Sequence, residues 1–254
     1  MSLVDPDVSF FLVAALLVVF AVIAARVTAL GVEVEVLTAA VRAAVQLTVV
    51  ALVIAAVLDS DGLSLLFVAG MLVAAGFTAG SRIAGLRAAG WAGLAVAAGA
   101  LPVLILVLAS GAVPFSGPAI VAFSGIVIGN AMTASAQAAR RAMDDLRLRA
   151  GEFEAALALG FDPRSAGLEI ARPTAAQALF PGLDQTRSVG LVTLPGAFVG
   201  VLLGGGSAGE AASAQVLVLF GLMVAQVVAV AVALELVVRG RFSPAPAGTA
   251  TALR

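Results

Sequence analysis

The sequence is a succession of long apolar runs separated by short polar stretches. Val8 to Ala25 ends at Arg26. Ala43 to Leu58 is closed by Asp59, Asp61 and Gly62, which mark a turn. Leu63 to Gly80 precedes Arg82 and Arg87, and Trp91 to Ala109 precedes the turn-rich stretch Gly111 to Pro118. Ala119 to about Gln137, Thr186 to Gly204 and Ala211 to Val238 complete the series. Runs of about 16 to 28 residues, at 1.5 Å per residue in a helix, fit a hydrocarbon layer about 30 Å thick. The chain is 62% hydrophobic and 11% charged, against roughly 25% charged in a soluble domain. Too few polar groups remain to cover its apolar surface in water. Ala, Val, Leu and Gly dominate, and aromatics are few. That mixture suits close-packed helices better than a barrel with aromatic girdles. The expectation is an all-α polytopic membrane protein of about seven transmembrane helices, with lipid as its solvent. Residues 1–254 are expected to form a single transmembrane domain with a flexible C-terminal tail over 243–254.

Arginine placement sets the expected orientation. Asp5 and Asp7 precede the first run and Arg26 follows it, the reverse of a signal peptide, so this run reads as a retained span. Residues 27–42 carry Glu33, Glu35 and Arg42, and read as a short interfacial helix or the approach to the second span. With the N-terminus outside, the inside segments are 26–42, 81–90, 138–187 and 239–254. All 14 basic residues are Arg and all lie in those segments. Because basic residues bias loops to the cytoplasm, the C-terminus and the 138–187 loop are expected on the cytoplasmic side.

The sequence has no Cys, no His and no Lys. Disulfides and thiolate metal sites are therefore excluded, as are imidazole ligands and bases. A phosphate-binding G-x-x-x-x-G-K-[ST] loop is impossible without Lys. If ATP drives this protein, ATP and Mg²⁺ are bound by a partner chain and no cofactor by this one.

The spans contain few polar residues. Asn130, Thr133 and Gln137 fall at i, i+3 and i+7, on one helical face, next to the small pair Gly125 and Gly129. Gly190, Thr193, Gly196, Gly200 and Gly204 form a small-residue stripe, and Pro195 deprives the carbonyl of Leu191 of its donor, favouring a kink. Pro102 does the same to Ala98. Gln46 stands four residues after Arg42, and Gln215 and Gln226 share a face. Each position has two readings, helix–helix packing or the lining of a polar pathway. The candidate pathway set is Gln46, Asn130, Thr133, Gln137, Thr193, Pro195, Gly196 and Gln226. Glu235, four residues before Arg239, is expected to form an i, i+4 pair rather than to hold substrate.

The longest polar interruption, 138–187, carries equal numbers of Arg and acidic residues. A zero formal charge does not suit a polybasic lipid anchor, and nothing in the segment has nucleic-acid-binding character. Its breaks predict short helices. Gly160 caps a helix over Glu152 to Leu159, Asp162 and Pro163 start the next, and Pro173 and Pro181 interrupt the chain again. Ala155, Ala156 and Leu159 share a face. The simplest reading is a solvated loop helix on the bilayer surface.

A sharper reading comes from resemblance. Glu154-Ala155-Ala156, Gly160, Ile170 and Pro173 match the spacing Glu-Ala-Ala-x3-Gly-x9-Ile-x-x-Pro of the EAA loop of ABC transporter permeases; Arg172 departs from it, where Leu is usual. That resemblance implies a coupling helix docking on a cytoplasmic ATPase subunit, with Glu152, Glu154, Ala155, Ala156, Leu159 and Gly160 as the coupling residues. Gly129-Asn130-Ala131-Met132, the Leu159-Gly160 turn and Thr186 to Gly200 (TRSVGLVTLPGAFVG) further resemble the permease subunit of Fet-type iron-export ABC transporters. That family includes plant proteins linked to aluminium tolerance. The likeness runs from about Gln46 to Arg241. It implies a permease homodimer in a bacterial cytoplasmic membrane, exporting iron with separate ATPase chains, and no enzymatic activity in this chain. An importer permease, a secondary transporter and an ATPase-recruiting scaffold remain the alternatives.

Overall fold

The computed structural model describes residues 7–58 and 60–242, without the side chains of Ala55 and Ala56. Asp5, the turn residue Asp59 and the expected flexible tail lie outside the described residues. Among the described residues, ten α-helices follow one another: α1 Val8–Val27, α2 Glu33–Leu58, α3 Asp61–Ile83, α4 Ala89–Ala109, α5 Gly117–Leu148, α6 Ala150–Ala158, α7 Pro163–Ala176, α8 Phe180–Ser188, α9 Gly196–Leu203 and α10 Ala208–Val238. The protein is an all-α, multi-pass membrane protein. Six of the described helical segments are long and apolar enough to cross a bilayer.

Contacts group the chain into two units, residues 1–57 and residues 58–254. In the first, Asp7 caps α1, its carboxylate accepting from the Phe10 amide at 2.9 Å. Helix α2 starts at Glu33 rather than at Ala43. No Gly or Pro interrupts 33–58, so of the two readings of 27–42 the approach to the second span holds over 33–42, in one continuous rod. Leu16, Phe20 and Leu52 are exposed, as suits side chains facing lipid rather than water.

In the second unit, α3, α4, α10 and α5 pack in a ring, each against the next. Its centre is built of small side chains, among them Ala79, Ala100, Ala131, Ala138, Ala225 and Ala229, all fully buried. Small residues let backbones approach closely. A Cβ added to Gly99 of α4 would stand 2.3 Å from the Ala225 carbonyl oxygen of α10, and one on Gly76 of α3 would stand 2.9 Å from Gly93 Cα of α4. Helix α5 has 32 residues, about 48 Å at 1.5 Å per residue. It outruns a 30 Å apolar layer and carries Arg140, Arg141, Asp144 and Asp145 beyond it.

Helices α5 and α10 are parallel. Gly221 faces Phe123 and Gln226 reaches Asn130, so numbering rises together along both. Two parallel neighbours require the chain between them to return across the layer. Gly167 of α7 lies against Val238, and Gly182 of α8 lies against Gln226. Gln226 is about 18 Å along α10 from its Val238 end at 1.5 Å per residue. The chain thus climbs α10 from its C-terminal end, and α9 packs on the same helix before α10 begins. The stretch expected to cross the membrane over 186–204 is not one helix. Helix α8 stops at Ser188, an irregular stretch covers 189–195, and α9 restarts at Gly196. Gly190 takes φ +81°, a left-handed conformation that glycine accepts readily. Pro195 stands as the extended N-cap of α9. Together they unwind the segment, where the sequence predicts only a kink.

Two further expectations are modified. Pro173 does not interrupt the chain but sits inside α7, and Pro181 occupies the first turn of α8, where its missing N–H costs nothing. Glu210 is part of a capping box with Ser207 at the start of α10.

Candidate functional site

Helix α6 ends as its sequence predicts. Leu159 is the C-cap, the Gly160 amide donates to Leu157 O at 3.0 Å, and the Phe161 amide donates to Ala156 O at 3.1 Å. This pair of bonds is a Schellman motif, and it requires φ +93° at Gly160. Gly160→Ala is expected to cost about 1 kcal/mol at this turn. The corresponding measurement is the exchange of the Phe161 amide, expected to accelerate about fivefold. Asp162 then caps α7, its carboxylate accepting from the Ser165 amide at 3.0 Å. Hydrogen bonds from Ser165 hold the Asp162 carboxyl below the usual carboxylate range.

Three elements meet where α5 passes into α6. Arg149 Nε donates to Glu152 Oε1 at 2.9 Å, and its Nη2 pairs with Glu152 Oε2. Arg149 Nη1 donates to the Ile170 carbonyl of α7 at 3.3 Å. Thr174 Oγ1 donates to Asp145 Oδ2 at 2.6 Å. The hydrogen bond from Arg149 lowers the Glu152 carboxyl and raises the Arg149 guanidinium. Ile170, the motif residue, is buried. Glu152 is therefore engaged in bracing the loop.

The other predicted coupling residues face outward. Glu154 and Ala155 are exposed and Ala156 is half-buried. Leu159 is 80% exposed, and Leu157 and Phe161 are exposed beside it. The Glu154 carboxylate has no hydrogen-bond or ion-pair partner among the described residues. A short helix with a free carboxylate, two small alanines and exposed Leu and Phe side chains offers a compact surface, anchored from behind by α5 and α7.

The candidate pathway residues are only partly brought together. Gln226, 7% exposed, donates from Nε2 to Asn130 Oδ1 at 3.4 Å, while Asn130 Nδ2 donates to Ile126 O at 2.9 Å. Gly182 brings α8 onto this amide pair, since a Cβ there would stand 2.2 Å from Gln226 Oε1. On the same face of α5, Thr133 is exposed and bonds to Gly129 O at 3.0 Å, and Gln137 is half-buried. Gly129 has no atom within 4 Å of an added Cβ. Thr193 and Gly196 are exposed at the unwound stretch, beside the half-buried Pro195. Gln46 belongs to the other unit, where it lines a shallow hollow on α2 with Thr38 and Arg42. Buried Ser124 Oγ and Gln215 Oε1 have no partner among the described residues.

Glu235 pairs with Arg239 at 2.6 Å as expected, and also with Arg164 of α7. Sequence spacing carries the first contact and gives no sign of the second. Nor does it single out Gly182.

Residues 8–242 match the uncharacterised protein family UPF0014. The chain belongs to this family. Among its UPF0014 relatives is the "UPF0014 membrane protein STAR2" of Oryza sativa subsp. japonica, 35% identical over 202 residues, covering 78% of this chain and 71% of the relative. "Protein ALUMINUM SENSITIVE 3" of Arabidopsis thaliana is 32% identical over 209 residues, covering 81% and 77%. The "Probable iron export permease protein FetB" of Escherichia coli (strain K12) is 30% identical over 216 residues, covering 83% and 82%. No solved structure matches the chain.

Proposed function

We infer that this UPF0014 chain is the membrane-spanning subunit of an ATP-driven ABC transporter that exports iron or a metal complex from the cytoplasm. ATP and Mg²⁺ belong to a separate ATPase chain, and two permease copies assemble per complex, one for each ATPase site. The membrane is a bacterial cytoplasmic membrane. The N-terminus is outside, and α6, the C-terminus and the Arg-rich loops are inside.

The observation that carries this reading is α6. Its exposed Glu154, Ala155 and Leu159 are free, while Arg149 ties its start to α7, Thr174 and Asp145 hold α7 to α5 behind it, and the Gly160 turn passes its end directly into α7. A handle must be both accessible to its partner and rigidly joined to what it moves. The similarity to FetB, a probable iron export permease protein, supports iron and export. The unwound 189–195 segment supports a pathway beside α10. Irregular backbone at membrane depth is tolerated where it is buried in protein or lines a cavity, and broken helices recur at transporter binding sites. Among the described residues, no three Asp, Glu, His or Cys side chains come together. In this reading the amides, hydroxyls and backbone carbonyls of Asn130, Gln226, Thr133, Gln137, Thr193 and Gly196 are the candidates for contact with the cargo.

Co-purification tests the assignment. The chain extracted in mild detergent is expected to retain an ABC-type ATPase. Transport by the chain alone, with no ATPase, would make it a secondary transporter and contradict the reading.

A further inference from the structure

The Arg164 fork spans two elements that move separately if α6 is a handle. Arg164 stands in the first turn of α7, five residues beyond Leu159. Its Nε donates to Glu235 Oε1 at 2.6 Å and its Nη2 to Glu235 Oε2 at 2.9 Å. This is a bidentate guanidinium–carboxylate pair, which fixes direction as well as distance. Glu235 lies one turn before the end of α10. Arg239, in the following turn, donates to the same Oε1 at 2.6 Å. Side-chain exposures of 52% for Arg164 and 26% for Glu235 mean that the pair adds little to global stability. The α7–α10 contact has its own packing anchor, because a Cβ on Gly167 would stand 3.0 Å from Val238 Cγ1. The ion pair is therefore not needed to hold the helices together.

We propose that Arg164 and Glu235 are positioning residues forming the strut through which displacement of α6 and α7 moves α10, the helix that carries Gln226. This rests on the reading of α6 as the ATPase contact. The chain offers α6 two mechanical outlets. One is the Arg149 junction to α5. The other is the tight Gly160–Asp162 turn, which passes motion to Arg164 within a few residues. Arg239 neutralises the same carboxylate but sits on α10 itself, so it transmits nothing between elements. That asymmetry separates a strut from simple charge compensation.

The absence of Cys from the sequence allows a single reporter. Ser213→Cys, exposed near the start of α10, is labelled with an environment-sensitive fluorophore in the permease–ATPase complex, and the change on adding ATP and Mg²⁺ is read. Arg164→Gln is expected to keep the ATPase bound but to reduce that change about fivefold, a coupling loss of ordinary size. Arg164→Lys, which keeps the charge and loses the fork, is expected to fall between, and Arg239→Gln to respond like the parent. The strut is overturned if Arg164→Gln responds like the parent, or if Arg164→Gln and Arg239→Gln lose the response equally. A parent complex that retains no ATPase instead removes the reading of α6, and the strut with it.

Discussion

Ala155→Trp is expected to abolish ATP-driven transport and release the ATPase while leaving the permease folded. Ala155 is exposed on α6 and Ala156 is half-buried beside it, so an indole at 155 projects outward and leaves the bundle untouched. If α6 docks in a cleft that accepts the Ala155 methyl group, that cleft has no room for an indole, and displacing a short helix removes most of a small interface at once. Interface residues of this kind cost about 2 kcal/mol or more when mismatched, roughly thirtyfold in affinity. Glu154→Arg is expected to act similarly, because the free carboxylate becomes a like charge against any basic donor it met. The check is ATPase retention on the purified permease, together with its melting temperature. Loss of the ATPase with an unchanged melting temperature is expected. Full ATP-dependent transport by either variant would remove α6 from the mechanism.

Gly99→Val is expected to have the other large effect, on assembly of the fold itself. Its Cβ alone would stand 2.3 Å from the Ala225 carbonyl oxygen and 2.8 Å from Ala229 Cβ. The first neighbour is helix backbone and cannot rotate away, so α4 and α10 must part. Forcing volume into a packed interface of this kind costs on the order of 3 kcal/mol. The measurement is the detergent melting temperature, with Gly129→Ala as the contrast. Gly129 has open space at the same test position, and its substitution is expected not to lower the melting temperature, since Ala favours a helix interior over Gly. A Gly99→Val protein as stable as its parent would mean that α4 and α10 do not approach as described.

Much of this architecture is legible in the sequence, because the bilayer demands long apolar rods and the chain supplies them. The runs at 8–25, 63–80, 91–109 and 211–238 correspond to α1, α3, α4 and α10. Gly160, Asp162 and Pro163 mark the α6–α7 turn through local backbone chemistry alone. The i, i+4 spacing of Glu235 and Arg239 announces their pair. What depends on tertiary placement is not legible. The Arg164–Glu235 fork joins residues 71 apart in the chain. The expected orientation already makes α5 and α10 parallel, but that Asn130 and Gln226 meet depends on which faces pack together, which no local pattern encodes. Gly190 and Pro195 flag a weak point in the return crossing. A full break instead of a kink arises because left-handed backbone at 190 and extended backbone at 195 fall within one short stretch. Pro173 misleads in the opposite direction, since its neighbours on both sides keep α7 helical.

Inverted membrane vesicles containing this chain and its ATPase test the central claim most directly. They turn the cytoplasmic face outward, so an exporter loads them. ATP-dependent accumulation of iron inside the vesicles, absent without ATP and absent in Ala155→Trp, is the predicted result. Iron that stays outside while ATP is hydrolysed, or that enters equally without the ATPase, would contradict it.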